Sequence, residues 1–127
     1  MKNLLKLLTL FLALTLTSCN KDDDAGSPVA GKWKYTGLYN GNTFYPNEED
    51  CYSDILTFNE DLTGNENIVY CDDTSENSSF TWATSQNDTF SIVFALSETR
   101  GIIKITEDGK LKLRSPGVGA YALYEKQ

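Results

Sequence analysis

The chain has 127 residues, no histidine, 18 Asp and Glu against 11 Lys and Arg, and a formal net charge of −7. Without histidine, Ser-His-Asp and Cys-His arrangements and His-bearing zinc sites are excluded. The acidic balance also argues against nucleic acid as a partner, because phosphate binding needs a basic face.

Lys2 and Lys6 give the chain a positive start, and Leu7 to Leu16 is an apolar run broken only by Thr9 and Thr15. That order is the pattern of a signal peptide. The run falls short of the about 20 apolar residues that a membrane-crossing helix requires. It ends in Leu16-Thr17-Ser18-Cys19, which resembles the bacterial lipobox, the Leu, small, small, Cys pattern at which lipoprotein precursors are cut. The resemblance implies a cleaved lipoprotein signal peptide over residues 1–18 and a lipidated first residue at Cys19. Each buried CH₂ contributes about 0.8 kcal/mol, so a multiply acylated Cys19 would stay on its membrane. Loss of Lys2 and Lys6 leaves nine basic against 18 acidic residues, a mature net charge of −9.

Residues 19–28 run through Asp22-Asp23-Asp24 to Gly26-Ser27-Pro28 and read as a flexible acidic tether. The acidic triplet is similar to the export signal that sends some lipoproteins of the Bacteroidetes group to the outer face of their outer membrane. The implied location is the cell envelope, lipid-anchored to the outer membrane and surface-exposed.

Residues 29–127 are enough for one domain, and their pattern is strand after strand. Val29 to Tyr39 sets Trp33 and Tyr35 on one face with Lys32 and Lys34 on the other, and Asn40-Gly41 signals a two-residue hairpin. A short return through Thr43-Phe44-Tyr45 stops at Pro46. Tyr52 to Phe58 alternates with Leu56 and Phe58 on one face, Asn59 to Gly64 turns, and Asn65 to Tyr70 comes back. Ser79 to Thr84 carries Phe80 and Trp82. Thr89 to Leu96 follows, with Phe90, Ile92, Phe94 and Leu96 in alternation. Ile103 and Ile105 lead to the Asp108-Gly109 turn, Leu111 and Leu113 alternate with Lys110, Lys112 and Arg114, and Tyr121 and Leu123 share a face in the last strand. Nowhere do apolar residues recur at helical spacing over two turns. Eight or nine short antiparallel strands joined by tight turns favour a meander, and closing it removes both unpaired edges. The expected fold is all-β: a single up-and-down barrel of about eight strands.

The order Gly31-Lys32-Trp33, Cys51, Asp54-Ile55-Leu56-Thr57-Phe58, Cys71 and Trp82, closing on Tyr121 to Lys126, resembles the small lipocalin-like lipoproteins of the Bacteroidetes group. The resemblance covers most of Ala30 to Lys126 and implies a lipocalin-like barrel in a family whose members mostly lack an assigned activity. The departure lies at Asp61-Leu62-Thr63-Gly64, where that family usually shows an Asp-Gly-Thr turn.

With Cys19 lipidated, Cys51 and Cys71 are an even pair in an exported chain, flanking one hairpin, and a disulfide between them is expected. The rival, a free reactive pair, lacks a Cys-x-x-Cys motif. No Gly-x-Ser-x-Gly or phosphate-cradling Gly loop occurs. The acidic loops at Glu48-Glu49-Asp50 and Asp72-Asp73 lack the ligand spacing of a dedicated calcium site. No catalytic residue, metal or cofactor is therefore expected, and the chain reads as non-enzymatic. Trp33, Tyr35, Trp82, Phe90 and Tyr121 are predicted to face inward, either packing the core or lining a ligand pocket. Two function classes follow. One is a binding module holding a small apolar or amphipathic ligand at the barrel mouth. The other is an interaction or inhibitor protein with a filled core, docking another envelope protein through its outer surface and acidic loops.

Overall fold

The computed structural model describes residues 26–85, 88–98 and 100–127; the expected signal peptide, Cys19, most of the expected tether and part of the turn after Ser85 lie outside them. The described residues hold nine strands and no helix: β1 (Gly31–Asn40), β2 (Thr43–Pro46), β3 (Ser53–Phe58), β4 (Thr63–Val69), β5 (Ser75–Thr84), β6 (Thr89–Phe94), β7 (Arg100–Ile105), β8 (Leu111–Arg114) and β9 (Ala120–Lys126). Each pairs antiparallel with its neighbour, and β1 pairs with β9 to close the sheet. Eight strands make the closed barrel. The ninth, β2, is an arm on β1.

That arm exists because β1 changes partners halfway along. Its first part, Gly31 to Lys34, pairs with β3, and its second, Gly37 to Asn40, pairs with β2. A bulge between Tyr35 and Gly37 marks the switch. The extra residue, Thr36, donates its hydroxyl to the Leu123 carbonyl at 3.1 Å, and its own carbonyl accepts from Asn47 N–H at 2.9 Å. A bulge also reverses which side chains face in. Tyr35 is in register with the inward Tyr124, whereas beyond the bulge Tyr39 is in register with the outward Tyr121. The β1–β2 loop is Gly41-Asn42, one residue later than the Asn40-Gly41 expected, since Asn40 pairs with Thr43; Gly41 has φ 61° at the first loop position.

One end of the barrel is packed solid. Val29, Trp33, Leu56, Phe58, Phe80, Trp82, Phe90, Ile92, Ile103, Leu111 and Tyr124 form one buried cluster. Phe58 and Phe80 flank Gly64 in the sheet and their rings meet at 5.0 Å across it, so close that a Cβ on Gly64 would lie 2.2 Å from the Phe80 ring. Both indoles satisfy their polar atom inside this core: Trp33 Nε1 donates to the Val29 carbonyl at 2.7 Å, and Trp82 Nε1 to the carbonyls of Asn59 and Thr63 at 3.1 Å. β6 ends at Phe94, two residues short of the expected strand. Leu96 sits in the following turn at 91% exposure instead of continuing the inward row.

Four connections share one closing pattern, with backbone bonds from Asn59 N to Thr63 O, Tyr70 N to Thr74 O, Ser85 N to Thr89 O and Thr106 N to Lys110 O, each 2.8 to 2.9 Å. In each the residue before the acceptor has positive φ: Leu62 at 67°, Asp73 at 65°, Asp88 at 56° and Gly109 at 78°. The Asp61-Leu62-Thr63-Gly64 turn thus takes the same geometry as the β7–β8 turn, with Leu62 at the position that Gly109 holds there.

Candidate functional site

The five aromatic residues expected to face inward separate into three settings. Trp33, Trp82 and Phe90 are buried in the closed end, with ring contacts such as Trp82 to Phe90 at 6.1 Å. Tyr35 stands half-buried in the open half. Tyr121 does not face inward. In β9 the interior takes Ala122 and Tyr124, which pack on the core, so Tyr121 and Leu123 point outside. There Tyr121 stacks on Tyr39 at 4.9 Å and lies under Lys112 Nζ at 4.5 Å from its ring centre.

The open half holds residues that the aromatic pattern did not single out. Asp54, on the inward face of β3 with Leu56 and Phe58, is only 6% exposed. Its Oδ2 accepts a hydrogen bond from Tyr124 Oη at 2.8 Å, while its Oδ1 is buried with no partner among the described residues. Ile68 is opposite Asp54 and Glu66 opposite Leu56, which sets Glu66 diagonally beside Asp54 on the same face of the sheet. A row of tyrosine rings rises from this floor: Tyr124 to Tyr35 at 5.6 Å, Tyr35 to Tyr52 at 6.0 Å, and Tyr52 to Tyr70 at 6.0 Å. At the lip, the β2 arm prolongs the wall with the exposed, mutually paired Leu38 and Tyr45.

Burial governs the electrostatics of this vestibule. Desolvation raises the Asp54 carboxyl above the ordinary range, opposed by the Tyr124 hydrogen bond. Desolvation, then the charges of Asp54 and Glu76, push Glu66 up to about 7. Tyr52 is pushed up to about 12 by burial and by Asp54, and Tyr124 is raised by the same two causes. The floor is thus a pair of carboxyl groups that burial holds toward their neutral forms, walled by aromatic rings. It favours a ligand group that donates hydrogen bonds or carries positive charge.

Where β1 leaves β3 for β2, a cleft of about 280 Å³ opens, lined by Lys34, Tyr35, Thr36, Asn47, Glu49, Asp50 and Tyr52. Tyr35 and Tyr52 belong both to this cleft and to the ring row above Asp54. The bridge between Cys51 and Cys71 is formed, with Cα atoms 4.8 Å apart, and it ties the loop leaving the cleft to the β4–β5 turn. Sequence reasoning missed Asp54 as a site residue although its inward parity with Leu56 and Phe58 was visible. Tyr52 shares that parity, whereas Glu66 and Tyr124 carried no such local signal, because their meeting with Asp54 depends on strand register.

The crystal structure of a lipocalin-like protein from Bacteroides uniformis superposes with a TM-score of 0.60 at 14% identity, over 79% of this chain and 99% of that one. An uncharacterized protein from Bacteroides eggerthii superposes with a TM-score of 0.55 at 13% identity, over 77% of this chain and 98% of that one. No curated protein matches the sequence. The profile of the lipocalin-like domain matches residues 29–113, a span that takes in every strand from β1 to β7 and nearly all of β8; the chain belongs to the lipocalin-like domain family.

Proposed function

We propose that the protein is a lipid-anchored, non-enzymatic binding module of the cell envelope, held by Cys19 to the outer membrane and exposed at the surface. In this reading it takes a small amphipathic ligand at the open end of its barrel. The observation that carries the proposal is the buried, unpartnered Oδ1 of Asp54 beneath the tyrosine row. A buried acceptor left unmade costs roughly 1–3 kcal/mol, and a ligand donor would recover that loss. Leu38 and Tyr45 at the lip would receive the ligand's apolar part. With Trp33, Trp82 and Phe90 packed below, the room for a ligand is the cleft of about 280 Å³ beside Tyr35 and Tyr52, so a short one is expected.

Thermal shift and calorimetry with fatty acids, sterols, haem and short-chain alkylamines test this reading. The amines are expected to raise Tm and to lose at least tenfold in affinity in Tyr52→Ala. No shift with any of them, or equal binding by the variant, overturns it. Replacement of Cys19 by Ser is expected to release the protein from the membrane fraction. Its retention there would remove the anchor from the proposal.

The second reading, docking of a basic envelope partner, is favoured by the disulfide, which gathers exposed Glu48, Glu49, Asp50, Asp72 and Asp73 at one side of the mouth. Charge reversal at Glu48 and Glu49 with loss of a low-salt partner complex would select it.

A further inference from the structure

The outer wall carries a second cleft, separate from the vestibule and basic where the vestibule is acidic. It has a volume of about 240 Å³ and is lined by Thr89, Ile102, Lys104, Lys112, Arg114 and Tyr121. These residues come from β6, β7, β8 and β9, all on the face turned away from the core. No carboxylate lines it. Five of the eight Lys and Arg in residues 26–127 fall between Arg100 and Arg114, although the chain as a whole is acidic.

The arrangement of those cations is costly for a bare surface. Lys104 stands directly opposite Lys112 and Ile102 opposite Arg114, and like charges opposite each other across a sheet are destabilising. Their neighbour Lys110 is neutralised, with Glu125 at 3.0 Å and Asp108 at 4.0 Å. Among the described residues no carboxylate comes within 4.0 Å of Lys104, Lys112 or Arg114. Asp88 and Glu107 line the neighbouring cleft instead, beyond Lys104 and Lys112. Beside the cations lies flat apolar surface: Ile102 within the cleft, the Tyr121 ring at its edge, and beyond it Tyr39 and Phe44, whose rings continue the row at 4.9 and 4.8 Å.

We propose that this cleft binds an amphipathic oxyanion, a phosphate, sulfate or carboxylate carried on a flat apolar body, with the oxyanion held between Lys104, Lys112 and Arg114 and the body laid on Ile102 against the edge of Tyr121, whose faces Lys112 and Tyr39 cover. Arginine supplies a planar fork for two oxygens and the lysines supply point charges. An anion between Lys104 and Lys112 turns their repulsion into attraction. A bare ion would use only half of the cleft, and an uncharged ring the other half.

Calorimetric titration of the purified protein with 2-naphthyl phosphate, inorganic phosphate and 2-naphthol tests the assignment. The joined molecule is expected to bind at least tenfold tighter than either fragment. Lys104→Gln combined with Arg114→Gln should weaken it tenfold or more, and Tyr121→Ala should reduce it to the level of inorganic phosphate. Lys104→Glu should abolish binding and, by pairing with Lys112, raise Tm by about 2–4 °C, which also shows that the variant is folded. Vesicles containing phosphatidylglycerol distinguish the source of the anion: displacement of naphthyl phosphate assigns a lipid headgroup, and its persistence assigns a soluble solute. Absence of binding at millimolar naphthyl phosphate, or unchanged affinity in the Gln variant, overturns the proposal.

Discussion

Leu62 holds φ at 67° with its side chain about half exposed, a backbone conformation that costs an L residue roughly 1–2 kcal/mol. The same loop position in the β7–β8 turn is Gly109. Leu62→Gly is therefore expected to stabilise the protein by about 0.5–1 kcal/mol, the relief of strain exceeding the added freedom of the unfolded chain. Chemical denaturation would check it, and a loss of stability would show that Leu62 contributes more by packing than it loses in backbone. This turn was legible as a turn from Asn59 to Gly64, and the absent glycine was visible too. What the residues could not convey is that the backbone keeps the glycine geometry regardless. Asp61 explains part of that: its Oδ1 accepts from Thr63 N–H at 3.1 Å and from the Thr63 hydroxyl at 2.6 Å, fixing the loop from within.

Among the elements, β1 and β9 show where strand patterns mislead. Trp33 and Tyr35 follow the expected alternation, but Thr36 is an extra residue, and every side chain after it changes face. In β9 both faces are apolar, Tyr121 with Leu123 on one and Ala122 with Tyr124 on the other, so alternation alone gives two equal answers. The choice is made by distant partners, Leu111 opposite Tyr124 and Leu113 opposite Ala122. The hairpin order was legible from local turn chemistry, the closure from the two edges that an open meander would leave bare, and the Cys51–Cys71 pair from an even count flanking one hairpin. That disulfide joins positions 20 apart in sequence, and closing such a loop restricts the unfolded chain by about 3 kcal/mol. Cys51→Ala with Cys71→Ala should lower stability by about that amount in denaturant titration. If the vestibule depends on the loop it ties down, ligand affinity should fall with it; stability that did not change would mean the bridge restrains little.

The whole molecule concentrates negative charge in and around one opening while packing the other end dry. Its stability should follow that asymmetry with pH. Glu66 has an ordinary value of 4.5 and a folded value of about 7, so between those limits the folded state binds more protons than the unfolded one. The stabilisation from Glu66 is then complete below about 4.5 and is lost as pH rises to 7. The shift would correspond to about 3 kcal/mol if fully expressed; allowing for solvent screening of a partly exposed side chain leaves roughly 1–2 kcal/mol. Raised Asp54 acts in the same direction. Glu66→Gln should flatten the fall in Tm between pH 5 and 8, and an unaltered profile would place its cause elsewhere.

The chain enters the barrel at the dry end: Val29 is buried under the Trp33 indole and Gly26 lies beside Glu60 in the β3–β4 turn. From residue 26 back to residue 19 the backbone can span at most about 25 Å. Were Cys19 acylated as proposed, so short a reach would keep the sealed bottom of the cup near the bilayer and leave the rim offered to the surrounding medium. Solutes would then reach the tyrosines without first crossing the lipid surface.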